Sequence, residues 1–300
     1  MKQQFDERNR DLVVGINDTL VHRDQAGISP FDSAVQGGDA VWEGLRLHGG
    51  RIFKLTEHLA RLRRSAHALA FTTVPSDEEI TERISAVLAA NAMTDDVHIR
   101  LTLTRGVKVT SGMDPRLNEA GPTLIVLAEF KSPVYDDSGI SLVTSSVRRH
   151  RPDSLDPKIH HNNLLTSILA KIEANVAGAD DALMLDDAGF VAETNATNVF
   201  HVVGDVVRTS TTRACPEGIT RETILEICAA SGIEVVVGDF SLTDVYNADE
   251  VFVTGTMGGV TPVITIDGRT IGNGGPGPYV ARLSEAYLAR TATEGTVLAR

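Results

Sequence analysis

Cysteine is nearly absent: Cys215 and Cys228 are the only 2 in 300 residues. At that spacing they suit neither a disulfide framework nor a zinc site, which fits a reducing compartment. Basic side chains are also short, 28 lysines and arginines against 40 acidic residues, for a formal charge of -12. A nucleic-acid surface needs a basic excess, so nucleic acid is not an expected partner. Long apolar runs are missing as well, and residues 1–10 are polar and charged. Neither a membrane span nor a signal peptide is expected, and the sequence reads as a soluble, cytoplasmic protein. No metal site, internal repeat or low-complexity segment is legible.

What is present is a globular composition, 42% hydrophobic and 23% charged, and a length that suggests two domains. Gly49-Gly50 marks a hairpin turn, with Arg51-Ile52-Phe53 starting the return strand. Behind Thr56 as N-cap, Leu55, Leu59, Leu62, Ala66 and Leu69 recur on one helical face, with Arg61 beside it. Ser76-Asp77-Glu78-Glu79 is a capping box for a second helix ending near Asn91. Residues 97–104 alternate, Ile99, Leu101 and Leu103 on one face, His98, Arg100, Thr102 and Thr104 on the other, which predicts a half-buried strand. Residues 123–128 read as a buried strand. Residues 131–139, with Pro133 and Asp136-Asp137, read as a linker between a domain of residues 1–130 and one of residues 140–300.

The second half opens with a strand over 140–147 and a helix from about Asn163 to Gly178, with Leu164, Leu165, Ile168, Leu169, Ile172 and Val176 inward. Short strands, hairpin turns and two further helices follow, the last from about Pro278. Between the first strand and its helix lies Asp156-Pro157-Lys158-Ile159-His160-His161-Asn162-Asn163, a run dense in polar and ionisable side chains. Downstream, Glu193-Thr194-Asn195-Ala196-Thr197-Asn198 follows a predicted hairpin, and Pro216-Glu217-Gly218-Ile219-Thr220-Arg221 opens a helix. A lysine region, a carboxylate on a strand and a Gly-Ile-Thr helix start, in that order, suggest a pyridoxal phosphate site. Such a site needs an amine for a Schiff base, an acid for the pyridinium nitrogen and a helix N-terminus for the phosphate.

These stretches, with Trp42-Glu43-Gly44-Leu45-Arg46, Gly255-Thr256 and Thr261-Pro262, resemble the class IV aminotransferases of fold-type IV from about Gly15 to Tyr287. That family contains branched-chain and D-amino-acid aminotransferases, (R)-selective amine transaminases and aminodeoxychorismate lyase. The Trp42 to Arg46 stretch resembles the branched-chain members in particular. The resemblance implies an α/β (α+β) fold of two domains, a small N-terminal α/β domain and a larger C-terminal α/β barrel-like domain. It also implies pyridoxal phosphate held between them and a homodimer. Carried over, it puts Glu193, flanked by Thr194 and Asn195, at the pyridine nitrogen, and Arg61, Gly218, Ile219, Thr220, Gly255 and Thr256 at the phosphate. Arg100 and His98 fall toward the substrate carboxylate, and Val35 and Met257 on the substrate rim, where relatives often carry aromatic side chains in place of Val35.

Read without gaps, forward from Asp156-Pro157 and back from Gly178-Ala179, the family's lysine position falls on His160, two residues after Lys158. Histidine has no primary amine and cannot form the Schiff base. Either Lys158 forms it, on a strand shifted by two residues and so by about 6.6 Å with its face kept, or the lysine is absent and His160 serves other chemistry. The expected activity is amino transfer from an amino acid, a branched-chain L-amino acid first, to a 2-oxo acid such as 2-oxoglutarate. In that expectation Lys158 also moves the substrate proton. The alternatives are an aminodeoxychorismate-lyase-like enzyme, a D-amino-acid or (R)-amine transaminase, or a homologue without transaminase activity.

Overall fold

A computed structural model describes residues 4–135 and 138–298. The start of the polar opening stretch and Asp136-Asp137 of the expected linker lie outside the described residues. The chain divides into two compact units, one of residues 2–132, 159–163 and 291–300, the other of residues 133–158 and 164–290. The boundary thus falls between Lys158 and Ile159, and the short segment 159–163 belongs with the N-terminal unit.

The N-terminal unit is an antiparallel sheet carrying helices. Its strands are β1 (Val13–Ile16), β2 (Thr19–His22), β3 (Ala40–His48), β4 (Arg51–Ile52), β5 (Val97–Thr104) and β6 (Thr123–Phe130). A C-terminal strand, Thr296–Val297, pairs with β4, and the order runs from it through β4, β3, β5, β6 and β1 to β2. The Gly49-Gly50 turn joins β3 to β4 with both φ positive, at 51° and 76°, as a two-residue hairpin loop requires. Helix α1 (Ser33–Gly37) precedes β3, and α2 (Leu55–Ala68) and α3 (Asp77–Ala90) follow β4.

Leu55, Leu59, Leu62 and Ala66 of α2 are buried in one core with Ile80, Ile84 and Val87 of α3 and Ile99, Leu101 and Leu103 of β5. Each large aliphatic side chain so buried contributes about 1.5–3 kcal/mol. The capping box of α3 is complete, with both Ser76–Glu79 bonds made. Helix α2 starts differently from the sequence expectation. Lys54, left-handed at φ 55°, is its N-cap, and Thr56 lies inside the first turn, because the chain leaves β4 by a tight turn at Lys54. In β5 the expected solvent face is covered too: Thr102 and Thr104 are buried.

The C-terminal unit is a mixed sheet that curls into a half-barrel. It comprises β7 (Ile140–Arg148), β8 (Asp181–Leu185), β9 (Val191–Thr194), β10 (Asn198–Val203), β11 (Val206–Ser210), β12 (Glu234–Gly238), β13 (Glu250–Gly255), β14 (Gly259–Ile266) and β15 (Arg269–Thr270). The order is β12, β11, β10, β13, β14, β7, β8, β9, with β15 on β14. Helix α4 (Pro152–Leu155) follows β7, α5 (Leu165–Ala177) crosses from β7 to its parallel partner β8, and α6 (Ile219–Ala230) from β11 to its parallel partner β12. Helices α7 (Leu242–Tyr246) and α8 (Pro278–Thr293) complete it.

Helix α5 reverses a sequence expectation. Its large aliphatics face outward, with Leu165 72% and Val176 85% exposed and Ile168, Leu169 and Ile172 about half exposed, while Ala170 and Ala174 pack on Ala182 and Met184. Periodicity locates an apolar face without saying what covers it. Here the small side chains let the helix lie close on the sheet.

Candidate functional site

In the C-terminal unit Glu193 lies on β9 opposite Met184 of β8, and β9 is buried along its whole length. Its carboxylate is 2.8 Å from an Arg149 Nη2. Arg149 is itself held at the end of β7, where it also donates to Ser167 Oγ at 3.2 Å and to the Ala214 carbonyl. Burial pushes the Glu193 carboxyl up to about 7, against the pull of Arg149. Burial thus outweighs the one guanidinium at this acid, which stays undercompensated.

The turn after β9 is closed by its own polar groups. Thr194 Oγ1 accepts from the Thr197 and Ala196 N–H groups and lies 2.7 Å from Thr197 Oγ1. Asn195 staples the turn to β8 through the Ala182 N–H at 2.8 Å. The polar atoms of Thr194 and Asn195 thus shape the turn that carries Glu193.

Three pieces meet at Asn198, the first residue of β10. It pairs with Thr254 at the end of β13, its side chain donates to the Pro216 carbonyl, and its Oδ1 crowds Gly218. A Cβ on Gly218 would stand 2.0 Å from that oxygen, so only glycine fits at this N-cap of α6. Among the described residues no side chain caps the helix, and Ile219 and Thr220 present the N–H groups of its first turn, Thr220 being buried. Thr254 Oγ1 is buried and has no hydrogen-bond partner among the described residues. Gly255, beside it, packs on Thr197, and Thr256 and Met257 follow half-buried in the turn to β14. The structure therefore brings Gly218, Ile219, Thr220, Gly255 and Thr256 around one strand pair, next to the strand of Glu193.

The N-terminal unit holds a second ionic cluster. Glu43 on β3 is fully buried and accepts Arg61 Nε at 2.8 Å and Nη2 at 2.6 Å. His58, one turn earlier on α2, donates Nδ1–H to Glu43 Oε2 at 2.7 Å. Burial alone would raise this carboxyl, but Arg61, with the His160 and His58 rings, holds it well below the usual carboxylate range. Two faces of the Arg61 fork are thus closed on Glu43.

His160 lies against the same strand. Its backbone N–H bonds Ser65 Oγ at 3.0 Å, its carbonyl accepts the Trp42 N–H at 2.9 Å, and the Asn162 N–H bonds the Ala40 carbonyl at 2.9 Å. The ring stacks on Trp42 at 4.2 Å and donates Nδ1–H to the Trp42 carbonyl, with Glu43 at 3.7 Å. Burial, with the Arg61 charge nearby, pushes this ring down to about 3, so at neutral pH it is neutral with its lone pair on Nε2.

Arg100 stands 3.4 Å over the Trp42 ring and donates to Asn162 Oδ1 at 2.8 Å; burial lowers it to about 10. His98, two residues away on the same face, is pushed by burial to about 4, and its Nδ1 is buried without a hydrogen-bond partner among the described residues. Val35 is exposed on α1. Lys158 is 41% exposed on a turn, 3.7 Å from Asp156, whose Oδ1 also accepts the Lys158 N–H.

Sequence reasoning missed Arg149, the Glu43–His58 bond and the Thr254 hydroxyl. Arg149 follows another arginine on a strand end, and nothing in its spacing tells it from a solvated charge. Glu43 stood within the Trp42 to Arg46 stretch, but its partner is 18 residues on.

An antiparallel α/β unit and a half-barrel unit in one chain, the latter with a buried strand glutamate and a helix start without a side-chain cap, match the architecture of fold-type IV. The family model described as amino-transferase class IV matches residues 40–266, and the chain belongs to that family. It is 55% identical over 96% of its length to branched-chain-amino-acid aminotransferase-like protein 2 of Arabidopsis thaliana, covering 52% of that protein. With the putative branched-chain-amino-acid aminotransferase of Methanocaldococcus jannaschii it shares 39% identity over 92% of this chain and 95% of the other. The branched-chain amino acid aminotransferase of Thermobaculum terrenum, solved in its PLP form, superposes with a TM-score of 0.84 at 26% identity, over 94% of this chain and 94% of that one. The chain spans about half the length of the plant relatives it matches. No helix among the described residues is long and apolar enough to cross a membrane.

Proposed function

We propose that the chain binds pyridoxal phosphate and moves an amino group from a branched-chain L-amino acid to a 2-oxo acid such as 2-oxoglutarate. The observation that carries the reading is the convergence, within one unit, of an undercompensated buried glutamate and an uncapped helix start. Two further features of that unit suit the cofactor. The Gly218 position leaves the backbone bare beside Asn198, and the Thr254 hydroxyl is an unanswered buried donor and acceptor among the described residues. Pyridoxal phosphate supplies an aldehyde for amino exchange and a ring that draws electrons from the substrate carbon when its nitrogen is protonated.

In this reading Glu193 holds a proton on the ring nitrogen, and the incoming cation draws its carboxyl back below 7. The Ile219 and Thr220 N–H groups, with Thr256, bind the phosphate where the helix dipole favours an anion. Arg149 keeps Glu193 oriented. For Arg61 we propose the counter-charge of Glu43 in place of a phosphate ligand, since its Nε and Nη2 both face that carboxylate. Arg100 and His98 remain the candidates for orienting a substrate carboxylate, on their shared strand face. The substrate choice rests on the branched-chain names of the relatives. Incubation with leucine or valine and 2-oxoglutarate is expected to yield glutamate; no glutamate with either donor overturns the substrate assignment.

We propose a homodimer as well, supported by α5. Its outward face carries Leu165, Ile168, Leu169, Ile172 and Val176, while the charges of the helix are engaged within the unit, Lys171 with Asp181 and Glu173 with Ser145 and Ser146. Such an apolar face can meet its own copy about a twofold axis. A reducing, cytoplasmic setting is the compartment we propose, in keeping with two buried free cysteines.

A further inference from the structure

We infer that the chain holds its cofactor without a covalent link, because no lysine of the unit that carries the site is placed to anchor it and a histidine is fixed at the position the resemblance assigns to one. The inference rests on the reading that the chain binds pyridoxal phosphate.

The unit that carries Glu193 and the α6 start contains two lysines, Lys158 and Lys171. The Lys171 amine is held by Asp181 at 3.1 Å and by the Asp180 carbonyl. The Lys158 amine is exposed beside Asp156, on a turn that the Asp156 side chain itself closes through the Lys158 N–H. An amine that serves as an anchor works from a desolvated pocket or beside another cation, and neither lysine has that setting.

Sliding the chain by two residues, to bring Lys158 where His160 stands, is opposed by what holds residues 160–162. Two backbone bonds, from the Trp42 N–H to the His160 carbonyl and from the Asn162 N–H to the Ala40 carbonyl, fix their register on β3, and the His160 N–H bonds Ser65 Oγ of α2. His161 is the bridge partner of Val41, and its carbonyl accepts the Trp42 Nε1–H. The slide would also draw Ile159 out of the apolar core it packs against and put Pro157 there. It would strip the Trp42 ring of its His160 stack. The register is therefore set by several independent contacts within one unit.

Position 160 itself offers an imidazole with Nδ1–H engaged on the Trp42 carbonyl and an unprotonated Nε2. That nitrogen can accept a hydrogen bond. It has no N–H pair to lose as water on joining an aldehyde, so no stable C=N link forms there. The cofactor aldehyde stays open to an incoming substrate amine, and the cofactor leaves the protein on dilution.

The test uses the full chain saturated with pyridoxal phosphate. Binding is read by equilibrium dialysis and by the rise in Tm. Borohydride then converts any C=N bond between a lysine amine and the aldehyde to a stable secondary amine, read by intact mass and peptide mapping. The expected result is saturable binding, loss of cofactor on dialysis and no stoichiometric adduct on any lysine. His160→Lys is expected to gain a one-to-one pyridoxyl adduct at residue 160, with an unchanged near-ultraviolet circular dichroism spectrum certifying its fold. If that variant does not fold, the wild-type mapping decides alone. Traces spread over several surface lysines count as solution chemistry and agree with the inference. A one-to-one adduct at Lys158 that disappears in Lys158→Ala overturns the inference and leaves the cofactor reading standing. Absence of any saturable binding overturns the cofactor reading, and the inference with it.

Discussion

Two buried glutamates, each facing an arginine, titrate in opposite directions in this chain. Glu43 is held below the usual range and Glu193 is pushed up to about 7. Both are desolvated, so burial is common to them and the difference lies in the partners. Glu43 receives two bonds from the Arg61 fork and one from His58, with His160 close by. Among the described residues Glu193 has Arg149 as its one ion-pair partner, and that guanidinium is shared with Ser167 and the Ala214 carbonyl. A saturated buried carboxylate is part of the scaffold, whereas an undersaturated one is prepared for a partner that arrives later.

The largest expected effect breaks the saturated side. Arg61→Ala leaves Glu43 buried without its main counter-charge and is expected to cost about 3–5 kcal/mol, read as a fall in the urea midpoint. A loss below about 1 kcal/mol would place Glu43 in a far more polar setting than the structure gives it.

Next comes the pH dependence of Glu193. A carboxyl raised from 4.5 to about 7 contributes stability that is fully present below 4.5 and is lost as pH rises through 7. Glu193→Gln removes that slope, so the variant should gain about 3 kcal/mol relative to wild type between pH 4 and pH 8. Glu43 has the opposite sign. Its folded value is lowered, so its contribution is present above 4.5 and is lost only as pH falls toward the acid limit. Parallel curves for wild type and Glu193→Gln in urea titrations across that window would remove the contrast between the two sites.

A smaller effect concerns α5. Leu169→Lys puts a charge in the middle of the apolar face and is expected to weaken self-association by roughly 10–100-fold, read by sedimentation, with the fold intact. An unchanged association constant would take the dimer surface elsewhere. Smallest is Thr254→Val, which removes a buried hydroxyl without a partner among the described residues. Stability should hold or rise by up to about 1 kcal/mol, while cofactor affinity falls. Loss of stability instead would mean that the hydroxyl already has a partner.

How much of this was legible follows from what sequence patterns encode. Strand β5, the α3 capping box and the Gly49-Gly50 turn were read from residues 97–104, Ser76 to Glu79 and the paired glycines, because each is a local rule with a local cause. Helix α5 was placed correctly but turned the wrong way. Its 3.6-residue stripe marks an apolar face, and the side that meets the sheet was chosen by the small Ala170 and Ala174. Of the candidate site, Glu193 and the Gly218-Ile219-Thr220 start were visible as motifs. What makes Glu193 unusual was not, since Arg149 approaches from another strand. The fixed register of His160 depends on three bonds to residues about a hundred positions away, which no spacing within the Asp156 to Asn163 run reveals.

The central contrast can be measured directly by infrared difference spectra of wild type against Glu193→Gln and against Glu43→Gln, each at pH 6 and without cofactor. The account predicts a protonated-carboxyl band that vanishes in Glu193→Gln, titrates near 7 and is lost when pyridoxal phosphate is added, and no such band from Glu43. A Glu193 that is fully ionised at pH 6, or a protonated band that belongs to Glu43, would contradict it.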